Sequence, residues 1–527
     1  MRILLAYKTH ADGATDPYTS LLPVGLGYIN ACLRRAGFQS RVANFSNSGW
    51  KKTEALLNCE KPDILGVSQF THNRLESLRL AGLAKKLNPA CFVVFGGPHA
   101  THLARELLDK EPAIDAVILG EGEEAFLELA GCLAAKDDSL ETIRGMAIRG
   151  NRGVVFTPPR GRLADLDLLP IPAAYLDDAV GVDLHRQLEF IITSRGCPAA
   201  CRFCASPRFW GKALRFRSPR SIVDEIRFIR DRFGLLYFSI RDDTFTADRE
   251  RVMEFCRLLV REKVYILWNC QSRVNAVDGE MLRWMKRAGC ECVQYGVESG
   301  STGMLRVLGK GITPEQVRNA ASATRKAGIN LSVYLITGVP GESEEDLTAT
   351  VNLIEDIKPG DGQVSPLAYY PGTSLFAAGV ASGAVRSDLF ESGGTDAFYV
   401  RDDPFVAGSK RILLAKLAKV AQRNCYNAKD FRSQKEEVGY CHATNVLAGE
   451  YYEGAGKWQL AEAEYIEIVE REPENPWGWL MLGDLYAMTG SPGKADRCYE
   501  KVARLVPKHE SAEKRGAENR AIKLGEK

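Results

Sequence analysis

Short, unbroken apolar runs alternate with longer amphipathic stretches through the amino-terminal segment. Strands are predicted at 3–7, 63–68, 92–95 and 117–119, with helices near 24–36, 74–87 and 101–108. Runs without polar alternation fit parallel strands buried on both faces, so the pattern predicts a doubly wound α/β domain over 1–150. Two of its predicted strands end in small residues, Gly96-Gly97-Pro98-His99 and Gly120-Glu121-Gly122-Glu123. Ligands of such sheets sit beyond the carboxyl ends of the strands, where strand order reverses, and glycine lets a large ligand approach the backbone. The same glycines could also serve tight turns alone, and spacing does not separate the two.

The segment 151–185 carries Pro158, Pro159, Pro170 and Pro172 without a sustained period and reads as a linker. Alternation resumes at 188, with strands at 190–193, 236–240, 265–270, 292–297, 330–338 and 363–368. Helices follow Ser218, Asp248, Pro314 and Ser343 and lie near 280–288. Six strand–helix repeats over 186–400 predict a full or partial (β/α) barrel, whose reactive residues belong at the carboxyl ends of the strands. A helical connector is expected at 401–441 and a charged tail at 510–527. Between them, Trp479, Leu482, Gly483, Tyr486, Ala495, Tyr499 and Pro507 match tetratricopeptide spacing, and Gly449, Tyr452, Ala461, Tyr465 and Pro473 recur one period earlier. Two helical hairpins over 442–509 follow, with a groove open to a protein partner.

Composition narrows the functional classes. The 527 residues are 45% apolar and 26% charged, which suits a multidomain globular protein. The net charge of +2, from 69 Lys and Arg against 67 Asp and Glu, offers no global field for nucleic acid. The first residues lack the pattern of a signal peptide, and no apolar run is long enough to span a bilayer, so the expected location is the cytoplasm. Fourteen cysteines are scattered along the chain, and one group has ligand-like spacing.

That group is Cys197, Cys201 and Cys204, a C-x3-C-x2-C loop after the first strand of the predicted barrel. Structural zinc takes four protein ligands, and no fourth Cys or His lies close by; the nearest upstream histidine is His185. Three thiolates suit a four-iron cluster with one iron left open, since cysteine thiolates are the usual ligands of iron–sulfur clusters. Three unrelated buried cysteines are the bland alternative.

The loop, including Phe203 before its last cysteine, resembles the radical S-adenosylmethionine superfamily over about 188–375. Further motifs stand in family order. Asp242 and Asp243, in Arg241-Asp242-Asp243-Thr244-Phe245, resemble the carboxylates at the amino end of S-adenosylmethionine. Arg273 resembles the basic residue that pairs with its carboxylate, a task suited to a guanidinium fork. Glu298 and Ser299, in Gly296-Val297-Glu298-Ser299-Gly300, resemble the ribose motif, and Gly338, in Ile336-Thr337-Gly338-Val339-Pro340, the adenine-side backbone. Each has a structural alternative: a helix cap, a surface ion pair, a strand-end charge.

The first domain resembles the cobalamin-binding domain fused to many of these enzymes. The matching residues are Leu22-Pro23-Val24-Gly25-Leu26-Gly27-Tyr28, Lys61-Pro62-Asp63-Ile64-Leu65-Gly66, Gly96-Gly97-Pro98-His99 and Gly120-Glu121-Gly122-Glu123. One departure is that the D-x-H-x-x-G loop of cobalamin mutases is absent; Thr9-His10-Ala11-Asp12-Gly13 has similar letters in another order. Gln69, Phe70, Thr71 and His72 are the candidates for the lower cobalt face, and His72 could equally be a surface loop residue.

The resemblance thus implies a Rossmann-like cobalamin-binding domain, a partial (β/α)6 TIM-type barrel and a helical tetratricopeptide tail. It implies three cofactors: a 4Fe-4S cluster, S-adenosylmethionine and cobalamin. The expected activity is methyl transfer to an unactivated carbon or to phosphorus, through a 5′-deoxyadenosyl radical and methylcobalamin; the alternatives are a cobalamin-using cyclase or rearrangement without net methyl transfer and a radical enzyme that has lost cobalamin, and the intact cysteine loop argues against a non-enzymatic scaffold. A flavodoxin- or ferredoxin-type reductant and a small-molecule, lipid or peptide substrate are the expected partners.

Overall fold

The computed structural model describes residues 1–9, 20–150, 153–390, 398–423 and 426–511. The residues 10–13 of the altered first loop and all but the start of the expected tail at 510–527 lie outside that set. The chain divides into two compact units. One comprises Met1–Gln187, Arg195–Phe216 and Ala368–Tyr399; the other comprises Leu188–Ser194, Arg217–Leu367 and Val400–Lys527.

The first unit is built on strands β1 (Arg2–Tyr7), β2 (Gln39–Asn44), β3 (Ile64–Ser68), β4 (Phe92–Gly96), β5 (Ala116–Ile118), β6 (Met146–Gly150) and β7 (Gly153–Phe156). Their order is β2-β1-β3-β4-β5-β6-β7, with β1 to β5 parallel and the last two pairings antiparallel. Helices α1 (Val24–Arg35), α2 (Trp50–Glu60), α3 (Arg74–Leu87), α4 (Pro98–His102), α5 (Ala104–Lys110) and α6 (Glu123–Ala135) connect them. Leu4, Leu65, Val93 and Phe95 from the central strands pack with Leu80 and Leu108 from the helices, all fully buried, which is why these strands read as continuous apolar runs. The single helix expected near 101–108 is two, broken at Leu103, whose backbone leaves the helical region. β7 falls in the proline-bearing segment, where a short edge strand shows no period. Strand order reverses between β1 and β3, so the loops opening at Lys8 and Gln69 flank the switch point.

The second unit contains a six-stranded parallel sheet in sequence order: β8 (Phe190–Ile191), β9 (Tyr237–Ile240), β10 (Leu267–Ser272), β11 (Cys290–Glu298), β12 (Asn330–Thr337) and β13 (Asp361–Pro366). Its connecting helices start where the sequence offers a cap. Ser218, Asp248, Asp278, Thr313 and Ser343 each accept a backbone N–H from the residue three positions on. Each such cap contributes about 1 kcal/mol. Phe245, Phe255 and Trp268 meet edge to face beneath the sheet at 5.5–5.8 Å between centroids.

A helical region completes this unit, running from Pro404–Arg423 through Ala428–Val438, His442–Gly454, Trp458–Arg471 and Pro476–Met488 to Pro492–Leu505. Val438, Cys441, Ala443, Val446 and Ile468 form an apolar cluster with Leu267 of β10. Arg287 Nε donates to Val438 O at 2.7 Å, and His442 Nε2 lies 3.1 Å from Ile266 O. Within the region a Cβ on Gly449 would run into Tyr465, and one on Gly483 into Tyr499, so the same close approach of two helices occurs twice. No helix among the described residues is long and apolar enough to cross a membrane.

Candidate functional site

The cysteine loop lies in the first unit. Gly196 enters it at φ +100°, where a Cβ would collide with the carbonyl of Ala213; the position needs glycine. Cys197 is buried, and Cys201, Phe203 and Cys204 are half-buried. The backbone N–H of Cys204 bonds to Cys201 O at 3.4 Å, closing a turn between those two cysteines, and the N–H of Cys197 bonds to Gly211 O at 3.3 Å. Among the described residues no three His, Cys, Asp or Glu side chains converge on one metal ion. A four-iron cubane asks for something else, one thiolate on each of three irons, and a donor set of three thiols fits it.

The ends of this loop are tied down by charge. Arg195 precedes it, with Nη2 2.5 Å from Glu123 Oε1 and Nη1 3.5 Å from Glu121 Oε1. Arg215 follows it and holds Glu121 in a fork, at 2.5 and 2.9 Å. Burial pushes the Glu121 carboxyl upward, yet the Arg215 hydrogen bonds and the two guanidinium charges outweigh it and leave the group below its ordinary value. Glu121, expected to serve a cofactor, is thus engaged by Arg215 and by the N–H of Leu163. The anchoring roles of Glu123, Arg195 and Arg215 were not read from the sequence, although two arginines flanking a cysteine loop and two glutamates in one glycine-rich turn are a usable signal.

The remaining loops of the first sheet divide into closed and open positions. Gly97, at φ +93°, would place a Cβ 2.7 Å from Gln69 O, so it is required by the close approach of the β3 and β4 ends. Gly122 packs against Ile29 of α1. Gly96 and Gly120 face open space at the Cβ position, which is the form a backbone cradle for a large ligand takes. Pro98 starts α4, and the buried His99 meets Thr71 Oγ1 through Nδ1 at 3.0 Å. Desolvation, reinforced by Arg74, lowers the His99 pKa to about 3 and keeps the ring neutral. His72 is exposed, stacks on Phe70 and contacts the Tyr7 hydroxyl at 2.8 Å. Gln69 is fully buried, and its Oε1 has no hydrogen-bond partner among the described residues. Open glycines at the end of β4 and after β5, together with an unsatisfied amide just after β3, fit a polar, extended cofactor.

In the second unit the charged residues at the strand ends are largely locked. The Asp242 carboxylate, 1% exposed, accepts four hydrogen bonds: from the N–H and hydroxyl of Thr193 at 2.6 and 2.5 Å, and from those of Ser194 at 3.0 and 2.7 Å. Arg251 Nη2 adds a bond to Thr193 O at 3.0 Å. Asp242 therefore secures the strand end three residues ahead of Cys197, and Asp243 is the exposed carboxylate of the pair. Ser299 turns its hydroxyl to Thr350 and accepts from the N–H of Ser301. The N–H of Gly338 donates to Glu342 Oε2 at 2.6 Å, and Val406 closes over that glycine. Burial raises the Glu342 pKa despite these bonds. Glu298 has φ +68°, rare for a residue with a side chain, and its carboxylate meets Lys310 Nζ at 2.7 Å. Arg273 Nη2 donates to Lys310 O at 2.5 Å.

Residues 14–130 match the B12 binding domain and residues 191–354 the Radical SAM superfamily. An uncharacterized methyltransferase of Pyrococcus horikoshii is 31% identical over 375 residues, which is 70% of this chain and 80% of that protein. The anaerobic magnesium-protoporphyrin IX monomethyl ester cyclase of Rubrivivax gelatinosus is 26% identical over 71% of this chain and 69% of its own length. In fold, the chain is similar to the structure of the radical S-adenosylmethionine methyltransferase TsrM from Kitasatospora setae with cobalamin and a 4Fe-4S cluster bound. The TM-score is 0.64 at 17% identity, covering 88% of this chain and 99% of that one. The chain belongs to the B12-binding radical SAM enzymes, whose cofactors are a 4Fe-4S cluster, S-adenosylmethionine and cobalamin.

Proposed function

We propose that the enzyme transfers a methyl group to an unactivated carbon or phosphorus centre of a small-molecule, lipid or peptide substrate. The observation that carries this reading is the 31% identity to a methyltransferase over 70% of this chain, in a chain that also matches the B12 binding domain and the Radical SAM superfamily. When bound, the three cofactors supply electron transfer, a 5′-deoxyadenosyl radical and a methyl carrier; the protein's part is to hold and shield them. Cys197, Cys201 and Cys204 would hold the cluster, with Phe203 in the same loop. Asp243, Arg273 and Glu298 would bind S-adenosylmethionine at its amino, carboxylate and ribose groups, and Asp242 would keep the cysteine loop's approach rigid. Gly96 and Gly120 would let cobalamin lie against the backbone. The six-stranded sheet is read as a partial (β/α)6 barrel, and the helices of 442–509 as two tetratricopeptide-like hairpins offering a surface to a protein partner. A flavodoxin- or ferredoxin-type reductant in the cytoplasm completes the reading.

The experiment is a time course with methyl-labelled S-adenosylmethionine and a low-potential reductant, using candidate substrates. Methyl transfer requires 5′-deoxyadenosine and S-adenosylhomocysteine to accumulate in equal amounts, with label in the product. The similarity to a magnesium-protoporphyrin ester cyclase supports a second reading, cyclisation without net methyl transfer. Product without label and without S-adenosylhomocysteine would establish that reading instead.

A further inference from the structure

Lys310 is joined to both residues that the proposed reading places on S-adenosylmethionine in the middle of the second sheet. Its side chain is as buried as that of Glu298, with 7% and 8% exposed, and Nζ stands 2.7 Å from Glu298 Oε1. Its main-chain carbonyl accepts the Arg273 Nη2 bond. The local backbone is shaped around this pair. The β11–β12 register shifts between Gly296 and Glu298, and Glu298 takes the left-handed conformation that side chains usually avoid. A Cβ on Gly296 would lie 2.7 Å from Lys310 Nζ and 2.8 Å from Glu298 Oε1, so glycine there leaves room for the ion pair. Lys310 is itself fixed, its N–H bonded to Leu305 O at 3.0 Å behind the helix Thr302–Val307.

We propose that Lys310 is a positioning residue for the cosubstrate: its ammonium orients the Glu298 carboxylate and its carbonyl orients the Arg273 guanidinium. The physical reason is the cost of an unpaired buried carboxylate. Without a counter-charge, the buried Glu298 carboxylate would turn toward water, and that change removes a fixed acceptor for hydroxyl groups. With the lysine in place, one carboxylate oxygen is committed to the ammonium, and the second takes no hydrogen bond from the described residues. That oxygen is held ready for a ligand.

The inference rests on the assignment of Glu298 and Arg273 to S-adenosylmethionine, and its test separates the two. Equilibrium binding of S-adenosylmethionine to anaerobically reconstituted holoenzyme is measured for wild type, Glu298→Gln, Lys310→Met, Lys310→Arg and the double variant Glu298→Gln/Lys310→Met. Iron content and thermal unfolding are followed in parallel. Lys310→Met is expected to weaken binding about 10- to 100-fold, the loss for one charge-assisted hydrogen bond, with iron content unchanged. The double variant should bind no worse than the poorer single variant, because both remove one shared arrangement. Lys310→Arg, which keeps the charge, should recover most of the affinity, and KM for S-adenosylmethionine should rise more than kcat falls. If Lys310→Met does not fold, Lys310→Gln, with a donor but no charge, takes its place in the same comparison. Weakened binding in Glu298→Gln with none in Lys310→Met, or losses that multiply in the double variant, would overturn the proposal. Unchanged binding in Glu298→Gln would overturn the site assignment itself.

Discussion

The two sheets present their strand ends in opposite ways. In the first, the positions open to a ligand are bare backbone: Gly96 and Gly120 face empty space, while the charged residues nearby, Glu121 and Glu123, are engaged by Arg215 and Arg195. In the second, the groups expected to meet a ligand are charged side chains, and other side chains hold them in place, as Lys310 holds Glu298. The difference teaches how a ligand's size sets the design of its site. A broad macrocycle needs surface, which glycine provides by absence. A small zwitterion with a ribose needs a few fixed charges, and buried fixed charges need partners. On the proposed assignment the same strand-end location serves both, because the carboxyl ends of parallel strands collect loops whose residues are otherwise free to vary.

The sharpest way to break this comparison is to disable one region and ask whether the other still functions. Cys201→Ala is expected to abolish the cluster and all 5′-deoxyadenosine formation while cobalamin binding persists. Iron analysis and the visible spectrum of anaerobically reconstituted protein report both quantities at once. Four irons per chain in a variant lacking all three cysteines would refute the ligand assignment.

A smaller effect separates open from closed glycines within the first sheet. Gly96→Leu should fold and lose at least about 10-fold in cobalamin affinity, since overfilling a packed contact costs about 1–3 kcal/mol. Gly97→Ala should instead destabilise the protein itself, because its Cβ would sit 2.7 Å from Gln69 O and the left-handed backbone adds about 1–2 kcal/mol. Equal thermal stability of the two variants would erase the distinction between them.

A pH dependence carried by His99 tests the first unit separately. His99 is neutral in the fold, with its pKa lowered to about 3 by burial, whereas in the unfolded chain it takes up a proton near its ordinary value of 6.5. The unfolded state therefore binds more protons between these values, and stability must rise with pH across that window. The contribution is complete above pH 6.5 and is lost progressively as pH falls toward 3, by at most about 1.4 kcal/mol per pH unit. Urea unfolding at stepped pH should show this slope in wild type and a shallower one in His99→Gln. Identical slopes would mean that His99 is protonated alike in both states.

Much of the architecture could be read from local pattern. β1, β3 and β4 are continuous apolar runs because both faces of a parallel sheet are covered, and the helices of the second unit begin at Ser218, Asp248, Thr313 and Ser343 because a capping side chain satisfies an N–H that would otherwise be left over. The edge strand β7 and the break at Leu103 were not legible, since short elements with mixed exposure carry no period.

For the site, the sequence by itself determined the inventory: three cysteines at cluster spacing, glycines at the strand ends of the first sheet, and acidic and basic residues at those of the second. Only the tertiary structure decided which of these are committed internally. Asp242 and Asp243 are adjacent and chemically identical, yet one accepts four hydrogen bonds inside the protein and the other is exposed. Gly96 and Gly97 are likewise adjacent, yet one faces open space and the other the carbonyl of Gln69. Spacing along a chain records which side chains reach a strand end. Whether a carboxylate there is satisfied, or a glycine is covered, depends on atoms brought in from distant segments, such as Thr193 and Gln69, and that information exists only once the chain has packed.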